Sequence, residues 1–138
     1  MSLSNYGVPE FVLTVNGRLI QEFGETATPV TFSAIDPKAA IRRGQGGDAV
    51  ALYRKNPGKS VSVALNPGSN DSKYMQDLMN QRAIIEITYG QIGTQESATG
   101  SEGMIVNVGE TGRGGMTITD DVFIMEFNKW DEKKGGAY

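Results

Sequence analysis

Carboxylates, lysines, tyrosines and hydroxyls are the side chains this sequence offers for chemistry, because its 138 residues include neither cysteine nor histidine. That removes disulfides, thiolate and histidine zinc sites, the commonest general base and both familiar nucleophilic triads. Two acidic pairs remain as candidate general acids or hard-cation ligands, Asp120-Asp121 and Asp131-Glu132. Neighbours on a strand point to opposite faces, so solvated turn charges fit them better than a paired site. Two glycine-rich runs, Gly44-Gln45-Gly46-Gly47 and Gly109 to Gly115, could cradle an anion with backbone N–H groups. Neither has the GK[ST] ending of a P-loop or a complete GxGxxG between strand and helix, so they read as flexible loops. Asn70-Asp71-Ser72 matches a glycosylation acceptor. The N-terminal MSLSNYGVPEF has no basic region followed by an apolar run, so no secretory leader is expected and a helix-cap role fits that triplet better. The expectation is a protein that is not an enzyme and has no cofactor and no metal.

The net charge of −3 lacks the basic footprint of a nucleic-acid binder. No segment approaches the apolar length that spans a bilayer, so no membrane insertion by this chain is expected. The length suits one domain, 1–138, with a flexible N-terminus over 1–8 and a loose, charged tail over 131–138. Eighteen glycines spread over many short segments imply the numerous turns of an antiparallel sheet protein.

The elements are organised around Gly58 to Gln81. Val61, Val63 and Leu65 alternate with Ser60, Ser62 and Ala64, the period of a strand with one buried face. Asn66-Pro67-Gly68 ends it in a tight turn. Ser69, Asn70, Asp71 and Ser72 are all able to cap the helix that follows, and Asp71 favours the positive end of its dipole. Tyr74, Met75, Leu78 and Met79 then recur on one face of a short helix over about 71–81. A helix of that length is marginal alone in water, so this stripe must lie on a sheet, packed against Val61, Val63 and Leu65.

The flanking chain supplies strands. Phe11, Leu13 and Val15 lead into Asn16-Gly17, the strongest short hairpin signal available, and then into Arg18-Leu19-Ile20. Thr28 to Ala34 reads as a strand that Pro29 places near an edge. Ile84 to Tyr89 alternates, Gly90 to Gly100 reads as a polar loop, Met104, Val106 and Val108 mark a strand, and Met116 to Phe127 forms the last and longest one. Between Ile35 and Asn56 the signals weaken into a long β-arm (about 35–57) with a glycine tip, closed by Asn56-Pro57-Gly58. Arg42 and Arg43 on that arm are either an exposed charge pair or contacts to acidic groups on another subunit. Long arms in compact domains are usually functional or disordered, which keeps the second reading open.

From Ala39 to Gln81 the order of elements resembles the tail tube proteins of long-tailed bacteriophages, the contractile-tailed type being expected. These are related in fold to the tube proteins of bacteriocins and type VI secretion systems. The resemblance rests on the glycine-rich arm RRGQGGDAVALYRKNPG, the strand KSVSVAL and the Asn- and Ser-rich turn into a short helix, NPGSNDSKYMQDLMNQ. It implies a mainly β fold, an antiparallel β-sandwich or partial barrel with one flanking helix, and hexameric rings stacked into a hollow tube. DNA would pass through the lumen without specific binding. Sheath, tape-measure and baseplate or tail-terminator proteins would be partners, in a virion tail assembled in the host cytoplasm. Candidate inter-subunit contacts on the arm are then Arg42, Arg43, Gly44, Gly46, Gly47, Arg54 and Lys55. A type VI or bacteriocin tube component is the alternative on the same fold, and a small β-barrel module for a ligand or peptide is the alternative from another class.

Overall fold

A hairpin opens the computed structural model, which describes residues 11–92 and 94–135. Its strands are β1 (Phe11–Val15) and β2 (Arg18–Leu19), and the turn between them has positive φ at Asn16 (50°) and Gly17 (83°), as a type I′ turn requires. The Asn16 side chain also accepts a hydrogen bond from the backbone N–H of Glu86 at 2.8 Å, tying the hairpin to the neighbouring strand. The chain continues through β3 (Val30–Ala34), β4 (Ala39–Arg43), β5 (Ala49–Tyr53), β6 (Lys59–Leu65), α1 (Asn70–Asn80), β7 (Ile85–Gln91), β8 (Ser97–Val108) and β9 (Asp121–Lys133). Seven strands form one antiparallel sheet in the order β2-β1-β7-β8-β9-β6-β3, while β4 and β5 pair only with each other.

Alternation along each strand sends Leu13, Val15, Val61, Val63, Leu65, Ile85, Ile87, Ile105, Phe123, Met125 and Phe127 into one core. The sheet bends around that core. Phe32 of β3 meets Tyr89 of β7 with ring centroids 5.1 Å apart, and Trp130 of β9 at 5.7 Å. The segment after β2 crosses towards the opposite edge, where Phe23 makes an isolated bridge to Leu65 and Gly24 N–H donates to the Ala64 carbonyl at 3.0 Å. That bridge stands outside the ladders, so the curved sheet is no closed barrel. Helix α1 packs where β1, β6 and β8 finish, burying Met75 and Leu78 with Tyr74 and Met79 half-buried beside them.

The strand boundaries differ from the sequence reading in three places. Gly90 to Gly100 is no polar loop: β7 runs to Gln91 and β8 begins at Ser97. Its inward positions are Ala98, Gly100 and Gly103, small because β9 fills the space opposite with aromatic rings. A Cβ on Gly100 would sit 2.7 Å from the Trp130 ring, and one on Gly103 would overlap the Phe127 ring. The last strand begins at Asp121, opposite Leu65, and leaves Met116 to Asp120 in the preceding loop. It runs on to Lys133, so Asp131, Glu132 and Lys133 pair with Thr99, Ala98 and Ser97 where a loose tail was expected. On β8, Ile105 is the inward residue and Met104 and Val106 face out, with a register shift between Ile105 and Asn107. The N-terminus over 1–8 and residues 136–138 lie outside the described residues.

Candidate functional site

The arm made by β4 and β5 has every residue exposed, in contrast to every other pair of long strands. Its register places Ala39, Ile41, Arg43, Ala49, Ala51 and Tyr53 on one face, and Ala40, Arg42, Val50 and Leu52 on the other. The tip is a tight turn in which Gly44 N–H donates to the Asp48 carbonyl at 2.7 Å and Gly47 N–H to the Gly44 carbonyl at 3.2 Å. Gly47 has φ of +92°, a conformation that other residues reach only with strain, whereas Gly46 makes no such demand. At the root Asp36 N–H donates to the Pro57 carbonyl, and Arg54 donates through Nε to the Pro37 carbonyl at 3.2 Å and sits 3.9 Å from Asp36. Arg42, Arg43 and Lys55 are exposed and make no ion pair among the described residues. Charge divides along the same line. Residues 35–57 hold five basic and two acidic side chains, and the remainder holds eight basic and fourteen acidic ones.

A second open feature is the outer edge of β3. Ala64 N–H donates to the Pro29 carbonyl at 2.8 Å, so the pair Val30 and Val63 is the non-bonded kind and Thr31 and Ser62 exchange the ladder bonds. Val30, Phe32 and Ala34 therefore turn their N–H and C=O groups outward, with no backbone partner among the described residues. An edge of this kind is a template for another chain.

The candidate acids are taken up by structure. Asp71, 3% exposed, accepts hydrogen bonds from the backbone N–H groups of Gln21 (2.8 Å) and Glu22 (3.0 Å) and pairs with Arg18 at 3.1 Å. Burial by itself raises the pKa of Asp71, but the two amides and Arg18 outweigh it and hold the carboxyl below its usual range. Ser69 is the cap, accepting from Ser72 N–H at 3.1 Å. Ser72 Oγ donates to Asp121, which also pairs with Arg113 of the glycine-rich turn. Asp120 accepts from Glu25 N–H at 3.1 Å. Glu132 bonds Lys59 at 3.2 Å and Lys134 at 3.1 Å; burial raises its pKa and these lysines lower it further than that. Local spacing could reveal none of these partnerships, since Arg18 and Asp71 stand 53 residues apart. Among the described residues no group of three or more His, Cys, Asp or Glu could hold a metal ion, and no helix is long and apolar enough to cross a membrane. Val61, Val63, Leu65, Met75 and Leu78 lie in the core, and Tyr74 and Met79 are half-buried against it.

A bent antiparallel sheet, one helix across its end and a bare two-stranded arm together make a tail-tube-like fold. The chain is similar in structure to the sheath/tube terminator of an extracellular contractile injection system, PVC, in its extended state. That match has a TM-score of 0.63 at 11% identity and covers 97% of this chain and 100% of the other. It is similar also to the tube-terminating cap of the anti-feeding prophage (TM-score 0.64, 12% identity, 96% and 93% covered). A third similarity is to Hcp1 from Flavobacterium johnsoniae (TM-score 0.53, 13% identity, 93% and 97% covered). No protein-family model and no curated protein sequence matches the chain.

Proposed function

We propose that this chain is a non-enzymatic structural subunit of a phage tail tube, one tail-tube-like domain that closes into hexameric rings. The rings stack, and their lumen conducts DNA during ejection. The observation that carries this reading is the arm. Its ten strand residues are all exposed and include Ile41, Val50, Leu52 and Tyr53. An isolated two-stranded ribbon is at best marginally stable in water, so such a surface belongs against other copies. The open edge of β3 adds a pairing site within a ring, and contacts related by rotation close rings that stack into a filament. The acidic balance of the body lets DNA slide, because affinity for DNA comes largely from cations meeting phosphates. Sheath, tape-measure and baseplate or terminator proteins are the partners in a virion tail, with assembly in the host cytoplasm.

A second reading, a ring that caps a tube, draws on the likeness to the terminator and the cap. A type VI or bacteriocin tube component shares the fold and is distinguished by the particle it comes from. Electron microscopy of the purified protein at rising concentration separates these outcomes. Long hollow tubes support the tube subunit, rings that stop at one or two layers support the cap, and a persistent monomer contradicts both.

A further inference from the structure

Asn16-Gly17 is the single Asn-Gly pair in the chain. Glycine has no side chain, so its backbone nitrogen approaches the preceding asparagine's side-chain carbonyl with the least hindrance. Asn56 and Asn66 precede proline, which has no N–H to give up, and every other asparagine precedes a residue whose side chain crowds the approach. We propose that Asn16 is the chain's site of spontaneous deamidation, and that the β1–β2 hairpin is a lock that holds the reaction off while the chain is folded.

The reaction needs no partner but water. The Gly17 nitrogen bonds to Cγ of Asn16, the bond from Cγ to Nδ2 breaks, and ammonia leaves with the proton that Gly17 gives up. Water then opens the cyclic imide. Cleavage at Cγ leaves an ordinary aspartate. Cleavage at the main-chain carbonyl leaves an isoaspartyl link, with the chain running through Cγ and one carbon longer. Either product adds one negative charge to the net −3.

Two features of the fold oppose ring closure. Asn16 has φ of 50°, in the left-handed region, where ψ is about +47°. There the Gly17 nitrogen stands anti to Cβ of Asn16 about the Cα–C bond, the arrangement furthest from a five-membered ring. Asn16 Oδ1 is also held by Glu86 N–H at 2.8 Å, and Asn16 N–H donates to the Glu86 carbonyl at 2.9 Å, so the residue must leave β7 before its side chain can turn towards Gly17. Ile20, 3% exposed, keeps β2 against β1 by donating its N–H to the Leu13 carbonyl at 2.9 Å. Modification here has a path into the fold. Arg18 and the N–H groups of Gln21 and Glu22, a few residues on, hold Asp71 and through it α1. An aspartate keeps the acceptor for Glu86 N–H, whereas an isoaspartyl link lengthens the two-residue turn that sets the hairpin's register.

The test incubates the wild-type chain in mildly alkaline buffer, folded and in denaturing urea, and follows the acidic products by isoelectric focusing and peptide mapping. In urea Asn16 should be the first asparagine converted, and in the folded chain its conversion should be at least tenfold slower. Equal rates overturn the lock. Earlier conversion of another asparagine in urea, or none at Asn16, overturns the site. Ile20→Ala, shown to be folded by circular dichroism, should convert several-fold faster than wild type, and an unchanged rate contradicts the hairpin as the lock. As an independent readout, the isolated isoaspartyl chain should unfold at lower urea than Asn16→Asp, which carries the same charge on a normal backbone. Equal midpoints contradict the path to Asp71.

Discussion

Removing the Asp71 carboxylate tests how the helix is fixed to the sheet. In the folded chain this group is 3% exposed and accepts from two backbone amides and Arg18. Arg18 is 43% exposed at its side chain, so solvent screens that pair to about 0–1 kcal/mol. The amides of Gln21 and Glu22 carry the rest, since leaving a buried donor unsatisfied costs about 1–3 kcal/mol each. Asp71→Ala should therefore destabilise by about 3 kcal/mol, and Asp71→Asn, which keeps an acceptor, by about half of that. With a urea slope of about 2 kcal/mol/M, the alanine variant's midpoint falls by about 1.5 M at pH 7. The sign of the pH dependence follows from the lowered pKa. A carboxyl depressed in the folded state stabilises above its unfolded pKa and loses that contribution as pH falls through the folded value. The gap between wild type and Asp71→Ala should thus narrow below about pH 4. A midpoint shift under about 0.3 M, or a gap that stays constant down to about pH 2, would refute the assignment of Asp71 as the helix anchor.

Three further perturbations separate core from arm. Leu78→Asp puts a charge into the helix–sheet contact, where Leu78 is 8% exposed, and should leave no cooperative unfolding transition by circular dichroism. Gly103→Ala drives a methyl into the Phe127 ring and should lower stability by about 1–3 kcal/mol in urea melts; an unchanged midpoint would mean β9 shifts freely. Deleting Gly44 through Gly47 should leave the urea midpoint within about 0.3 M of wild type and abolish higher assemblies in sedimentation. Loss of folding instead would show that the arm supports the core.

Where one element's pattern is local, the sequence discloses it. The Asn16-Gly17 turn, the Val61-Val63-Leu65 face and the Met75-Leu78 stripe follow from period and turn chemistry, and the structure places each as that pattern implies. The arm showed itself through weak signals, because strands without a core beneath them have no reason to alternate. What escaped depends on partners far along the chain. Ser97 to Gly100 looks like loop because its inward residues are small, and Gly100 is small because the Trp130 ring lies across from it. Asp131 to Lys133 looks like tail because it is charged, yet its backbone completes the ladder with β8 and Glu132 is held by Lys59. Asp71 has the local look of a cap residue, while its partners lie in the segment after β2.

The central claim, that this fold exists to build a tube, is tested most directly by cryo-electron microscopy of the purified chain concentrated to the millimolar range. The account predicts hollow, stacked hexameric rings with the arm of each subunit buried between copies. A protein that remains monomeric there, with its arm in solvent, would contradict it.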